Sequence, residues 1–144
     1  MKTQIAFETN YICTSLAESK IFSHKLAKSL TPPYVLYLNG DLGVGKTFVS
    51  HSIGSFFESE SVKSSSFSRV SFSRGRVNII HCDFYRTPAE DYFFEYEVEP
   101  LLIDPWIILI EWGEVGSWNF GCPEYELRAR HLGHTERQFS LFKY

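Results

Sequence analysis

Eight consecutive residues, Gly40-Asp-Leu-Gly-Val-Gly45-Lys46-Thr47, constrain this chain more than any other segment. They satisfy G-x-x-x-x-G-K-[ST], a phosphate-binding loop that needs a strand before it and a helix after it. The flanks supply both. Tyr34-Val-Leu-Tyr-Leu38 is a mostly apolar run of strand length, as expected for a strand covered on both faces. A helix is predicted from about Lys46 to Phe57. Glycines let successive backbone N–H groups turn inward around phosphate oxygens with no Cβ in the way. The helix N-terminus adds partial positive charge at the same point. Lys46 then reaches the β- and γ-phosphates, and the Thr47 hydroxyl ligates Mg²⁺. Asp41, Leu42, Gly43, Val44, Gly45, Lys46, Thr47 and Phe48 form the expected nucleotide-binding run.

The rest of the chain is consistent with that anchor. With 144 residues it is expected to form one domain, from residue 1 to residue 144, with one buried core. Residues 3–7 read as a short strand. Ser15-Leu-Ala-Glu18 is a capping box, and the helix that it opens carries Phe22, Leu26 and Leu30 on one face. That helix stops before Pro32-Pro33. Residues 59–73 contain eight serines and read as a mobile polar loop running into a strand, with Val77 to Cys82 returning after an Arg74-Gly75 turn. Thr87-Pro88-Ala89-Glu90 reads as a second helix start, with Ala89, Phe93 and Tyr96 facing inward. Ile107 to Ile110 is a buried strand, and Tyr125 to Leu132 with Arg137 to Phe142 looks like a hairpin around Gly133-His134. Strand–loop–helix units followed by strands give a layered α/β domain.

Composition excludes several classes. Hydrophobic residues make up 44% and charged residues 22%, so neither a disordered nor a fibrous chain is indicated. The net charge of −3 argues against an autonomous nucleic-acid binder held by a basic face. The N-terminus lacks the apolar run of a signal peptide, and the stretch from Trp106 to Ile110 is far too short to span a membrane. Cys13, Cys82 and Cys122 are odd in number and widely spaced, which fits a reducing compartment; a cytoplasmic location is expected. Cys122, His131 and His134 fit no standard zinc spacing. Between Asp83 and Glu114 there are nine carboxylates against one cation, Arg86. Such a run is a solvated face, a docking surface for a basic partner, or a metal-binding rim.

Hydrolysis needs more than a phosphate cradle. A second acid must hold the Mg²⁺ from the end of a neighbouring strand, and something must orient the attacking water. Two strands end in acids here, at Asp83 and at Glu111, where the active-site groups of α/β sheets gather. Spacing alone does not divide the two roles between them.

The combination resembles the bacterial TsaE family of small P-loop ATPases, which act in the synthesis of threonylcarbamoyladenosine in tRNA. The matching pieces are Leu38-Asn-Gly-Asp-Leu-Gly-Val-Gly-Lys-Thr47, Val62-Lys-Ser-Ser-Ser-Phe67, His81-Cys-Asp-Phe-Tyr-Arg86 and Ile110-Glu-Trp-Gly-Glu114. The resemblance implies a three-layer α/β P-loop fold with a mixed sheet flanked by helices. It implies ATP and Mg²⁺ as cofactors, with Lys46 and Thr47 in the roles given above. Asp83 would hold Mg²⁺ through water, and Glu111 would be the catalytic acid at the metal. Trp112 would pack on adenine, which suits its flat apolar face. Ser64, Ser65 and Ser66 would form a loop that responds to the γ-phosphate. Arg137 sits where the family's last hairpin carries an arginine, and no chemistry is assigned to it.

The implied partners are TsaD-like and TsaB-like proteins, with tRNA met only through that assembly. Slow ATP hydrolysis would support repeated cycles of the modifying enzyme. Two departures stand out. The family's Ser-Pro-Thr is Ser64-Ser65-Ser66 here, which puts the hydrolysis rate rather than nucleotide binding in question. The position after Thr47, usually small and polar, is Phe48, which is expected to pack into the core. A small-molecule kinase and a nucleotide-gated binding module without useful catalysis remain the alternatives.

Overall fold

Nine strands and two α-helices account for most of the residues that the computed structural model describes, which are 3–4, 10–61 and 69–144. The strands are β1 (Thr3–Gln4), β2 (Tyr11–Cys13), β3 (Tyr34–Gly40), β4 (Glu60–Ser61), β5 (Val70–Arg74), β6 (Asn78–Asp83), β7 (Trp106–Glu111), β8 (Glu124–His131) and β9 (Arg137–Lys143). The helices are α1 (Leu16–Ser29) and α2 (Lys46–Phe56). All strands join one sheet in the order β1-β9-β8-β3-β7-β6-β5-β4, with β2 also on β9. The inner strands β8, β3, β7 and β6 run parallel, and the outer ones pair antiparallel. This is the mixed α/β sheet that the sequence predicts, with β3 at its centre.

Strand alternation divides the core in two. On one face Leu36, Leu38, Ile107 and Leu109 meet the helices through Phe22, Leu26, Val49 and Ile53. On the other, Val35, Tyr37, Ile108 and Ile110 lie under Phe84, Phe93 and Phe94. Every residue of β7 is buried, so it reads as a continuous apolar run closed by one carboxylate. The helix α1 starts as predicted: the Ser15 side chain accepts from the Glu18 N–H at 3.1 Å. Glu18 reaches back one residue further than a capping box requires, accepting from the Thr14 N–H at 2.5 Å and its hydroxyl at 2.8 Å.

Two expectations need correction. No helix starts at Thr87-Pro88-Ala89-Glu90; the chain there is irregular, followed by one turn of π-helix (Phe94–Val98) and one of 3-10 helix (Glu99–Leu101). Arg69 explains the difference, because it takes the groups that a helix start would use. Its guanidinium donates to the Pro88 carbonyl at 2.9 Å and to Glu90 Oε2 at 2.8 Å. Phe93, Phe94 and Val98 turn inward, while Tyr96 is left 67% exposed. The third layer is therefore made of short turns and loop rather than a long helix. The second correction concerns Phe48, which is only half-buried, because Val49 and Ile53 occupy the core face of α2. Of the strand expected over residues 3–7, Thr3–Gln4 is present; residues 5–9 and Ser64, Ser65 and Ser66 lie outside the described residues.

Among the described residues no helix is long and apolar enough to cross a membrane. Leu109 is fully buried beneath the helices. Leu109→Ala is expected to cost about 2–5 kcal/mol of stability, measured by urea unfolding.

Candidate nucleotide-binding site

The loop between β3 and α2 is built around positions that need glycine. Gly40 has φ +149°, and a Cβ there would sit 2.3 Å from the Ala129 carbonyl oxygen on the paired strand β8. Gly45, with φ +112°, caps α2 and leaves it without any side-chain cap. The first-turn N–H groups of α2 therefore have no side-chain acceptor at the cap and suit an anion. Val44 is fully buried and pins the loop to the core, and its N–H bonds the Asp41 carbonyl at 3.2 Å. Asp41, Leu42 and Gly43 stand exposed above it.

Lys46 is buried at the centre of this loop. Its ammonium donates to the Gly40 carbonyl and, at 3.1 Å, to the Asp41 carbonyl. The Trp112 ring covers it, with its centroid 3.9 Å from Nζ. Burial pulls the lysine below its ordinary pKa, while the carboxylates of Glu111, Asp41 and Asp83 pull the other way. The cation is thus desolvated and held by carbonyls and a ring, an arrangement that phosphate oxygens improve on. Trp112 itself has φ +60°, an unusual conformation for a bulky residue, and its ring also lies 4.8 Å from that of Tyr85.

Glu111 closes β7 on the helix-facing side of the sheet. Its Oε1 accepts from the Thr47 hydroxyl at 2.9 Å, and its Oε2 lies 2.5 Å from His81 Nε2. Burial raises its pKa, but the His81 and Thr47 hydrogen bonds and the charges of His81 and Lys46 outweigh that and hold it below its ordinary value. Asp83 pairs in register with Glu111 across β6 and β7, so both acids lie at the same end of the sheet and on one face. Asp83 is exposed, and its Oδ1 accepts from the Tyr85 N–H at 2.9 Å. The structure therefore gathers Lys46, Thr47, Glu111 and Trp112 directly, with Asp83 beside them.

The donor set fits Mg²⁺. Thr47, Glu111 and Asp83 offer hard oxygens, and magnesium takes few protein ligands, completing its shell with phosphate and water. Among the described residues no three His, Cys, Asp or Glu side chains cluster as a metal cage.

Two features escaped the sequence reading. His81 orients Glu111, and period-2 alternation could have found it, because it lies two residues before Asp83 on one strand. Glu126, buried on β8, accepts from Asn39 at 2.8 Å, from Arg128 at 2.8 Å and from Tyr144 at 2.8 Å. That network holds the last residues of β3, where the phosphate loop departs. No local motif announces it.

Because the folded protein holds the Glu111 pKa below its ordinary 4.5, its carboxylate contributes stability above that value. The contribution is lost as pH falls through the depressed value. The thermal midpoint of the native protein is expected to fall more steeply between about pH 5 and pH 3 than that of Glu111→Gln.

Known proteins resemble this chain in sequence along most of its length and in fold. The family model described as "Threonylcarbamoyl adenosine biosynthesis protein TsaE" matches residues 13–139. The tRNA threonylcarbamoyladenosine biosynthesis protein TsaE of Rickettsia bellii is 33% identical over 129 residues, covering 88% of this chain and 89% of that protein. Its counterpart from Rickettsia prowazekii is 32% identical over 132 residues, covering 90% and 91%. The crystal structure of Bacillus subtilis YdiB superposes with a TM-score of 0.71 at 21% identity, over 99% of this chain and 87% of that one, and so shares its P-loop-like α/β fold. With a mixed α/β sheet, a phosphate-type loop at the centre of that sheet and relatives matched along most of its length, the chain belongs to the TsaE family of tRNA threonylcarbamoyladenosine biosynthesis proteins.

Proposed function

We propose that this protein binds ATP with Mg²⁺ and hydrolyses it slowly, in the service of the multiprotein enzyme that forms N6-threonylcarbamoyladenosine in tRNA. The observation that carries this reading is the Thr47–Glu111 hydrogen bond beside buried Lys46. It brings a hydroxyl, a carboxylate and a cation together at one helix N-terminus. Lys46 exchanges its carbonyl partners for phosphate oxygens, and the N–H groups at the start of α2 cradle the same anion. Thr47, Asp83 and Glu111 would hold the magnesium, which when bound would neutralise charge on the phosphates. Glu111, kept ionised and oriented by His81, positions the attacking water and accepts its proton. The half-exposed Trp112 ring is the aromatic surface offered to adenine.

Turnover belongs to the assembly. TsaD-like and TsaB-like proteins are the partners that family membership suggests, with tRNA engaged through them. Glu95, Glu97 and Glu99 are all exposed on the turns that form the third layer, beside exposed Tyr92 and Tyr96. This acidic and aromatic face is the docking surface for that assembly, or it keeps tRNA off between rounds.

Lys46→Ala is expected to abolish ATP binding in calorimetric titration. Glu111→Gln is expected to keep ATP affinity near normal while lowering phosphate release by about 100-fold or more. It should also stop repeated tRNA modification by the partner enzymes. Appearance of a phosphorylated small molecule instead of free phosphate would make the protein a kinase, and negligible turnover with all partners present would make it a nucleotide-gated binding module. Charge reversal at Glu95, Glu97 and Glu99 is expected to weaken complex formation or modification; unchanged values for both would remove the role of the acidic face.

A further inference from the structure

Alternation along β5 sends Val70 and Phe72 to the core on the far face of the sheet, and turns Ser71 and Ser73 to the face that carries the helices. There they pair in register with His81 and Ile79 of β6. Across from them stands α2, whose Ser50, His51 and Gly54 continue the helical stripe that begins at Thr47. These elements enclose a cleft of about 240 Å³, with Ile79 and Leu109 as its apolar part. Each wall leads to the candidate nucleotide site. Ser50 and His51 follow Thr47 by one helical turn, Leu109 precedes Glu111 on the same face of β7, and His81 bonds Glu111 itself.

The polar lining of the cleft consists of hydroxyls and imidazoles, with no carboxylate, lysine or arginine side chain among them. Its volume lies below the roughly 300–1,000 Å³ of pockets for drug-sized ligands, so it suits a small one. A metal cation lacks ligands here, because among the described residues no three His, Cys, Asp or Glu side chains cluster. Ser50 points to the opposite sign. It is 4% exposed, and its hydroxyl has no hydrogen-bond partner among the described residues. A buried O–H without an acceptor is costly, and a ligand that brings only acceptors satisfies it. An oxyanion is such a ligand, held by hydroxyl and imidazole donors through charge-assisted bonds. The Glu111 carboxylate, which alone would repel an anion, is engaged by His81 and Thr47. We propose that this cleft binds inorganic phosphate, as a second oxyanion site separate from the loop at residues 40–47. The hydrolysis proposed above releases that ion beside Glu111, next to the His81 end of the cleft. The ion's source rests on that reading; the site does not.

The test is titration of inorganic phosphate, followed by backbone amide shifts, into native protein saturated with Mg²⁺ and a non-hydrolysable ATP analogue, so that the loop is already occupied. Saturable shifts are expected at Ser50, His51, Ser71 and His81. The double variant S50A/S71A removes two hydroxyls and no charge. It is expected to bind phosphate at least about 10-fold more weakly while keeping its affinity for the analogue. If it fails to fold, a loss of about 3-fold or more in S71A alone is the expected result. No saturable shift at the cleft, or native-like phosphate affinity in the folded variants, overturns the proposal. Failure of the native protein to bind the analogue overturns the nucleotide reading instead. Phosphate titration into nucleotide-free K46A, whose loop has lost its cation, then decides the cleft by the same shifts.

Discussion

The hydrogen bond from the Thr47 hydroxyl to Glu111 joins the two structural elements on which the site depends. Thr47 belongs to the first turn of α2, and Glu111 is the last residue of β7. They meet because β7 is hydrogen-bonded directly to β3, the strand that feeds the phosphate loop. They also meet because alternation along β7 turns Glu111 to the helix side after Ile107 and Leu109. A one-residue slip in the β3–β7 register would turn that carboxylate to the opposite face. The apolar content of both strands opposes such a slip, since every other residue on either face is already committed to a core.

A carboxylate this deeply buried needs partners to stay ionised. His81 and Thr47 supply them, and Lys46 adds its charge. The lysine in turn is confined by two carbonyls and the face of Trp112. The arrangement is electrostatically self-consistent. Glu126 holds the start of the loop from the other side of β3 through Asn39, so the cradle is braced at both ends.

Much of this was legible in the amino-acid sequence. The loop between an apolar strand and a helix, the Ser15 cap, the acid ending each of two strands and the last hairpin all carry local signals, and all are present. What was not legible depended on contacts between residues distant in the chain. Arg69 takes the Pro88 carbonyl and Glu90, and so converts a well-formed helix-start signal into irregular chain. Phe48 follows from the competition with Val49 for the core face of α2. The proximity of Arg137 to Gly45, 92 positions apart in sequence, comes only from β9 folding back beside β8. Spacing could not rank Asp83 against Glu111; burial and the Thr47 contact now single out Glu111 as the acid against the loop.

The central claim is that main-chain amides and Lys46 at residues 40–47 hold the anionic tail of a nucleotide. Comparing adenosine with ADP in magnesium buffer, by titration against the purified protein, tests it most directly. Measurable ADP affinity with adenosine binding at least about 100-fold weaker is the predicted result, since the tail carries the contacts. Equal affinity for the two, or none for ADP, would contradict it.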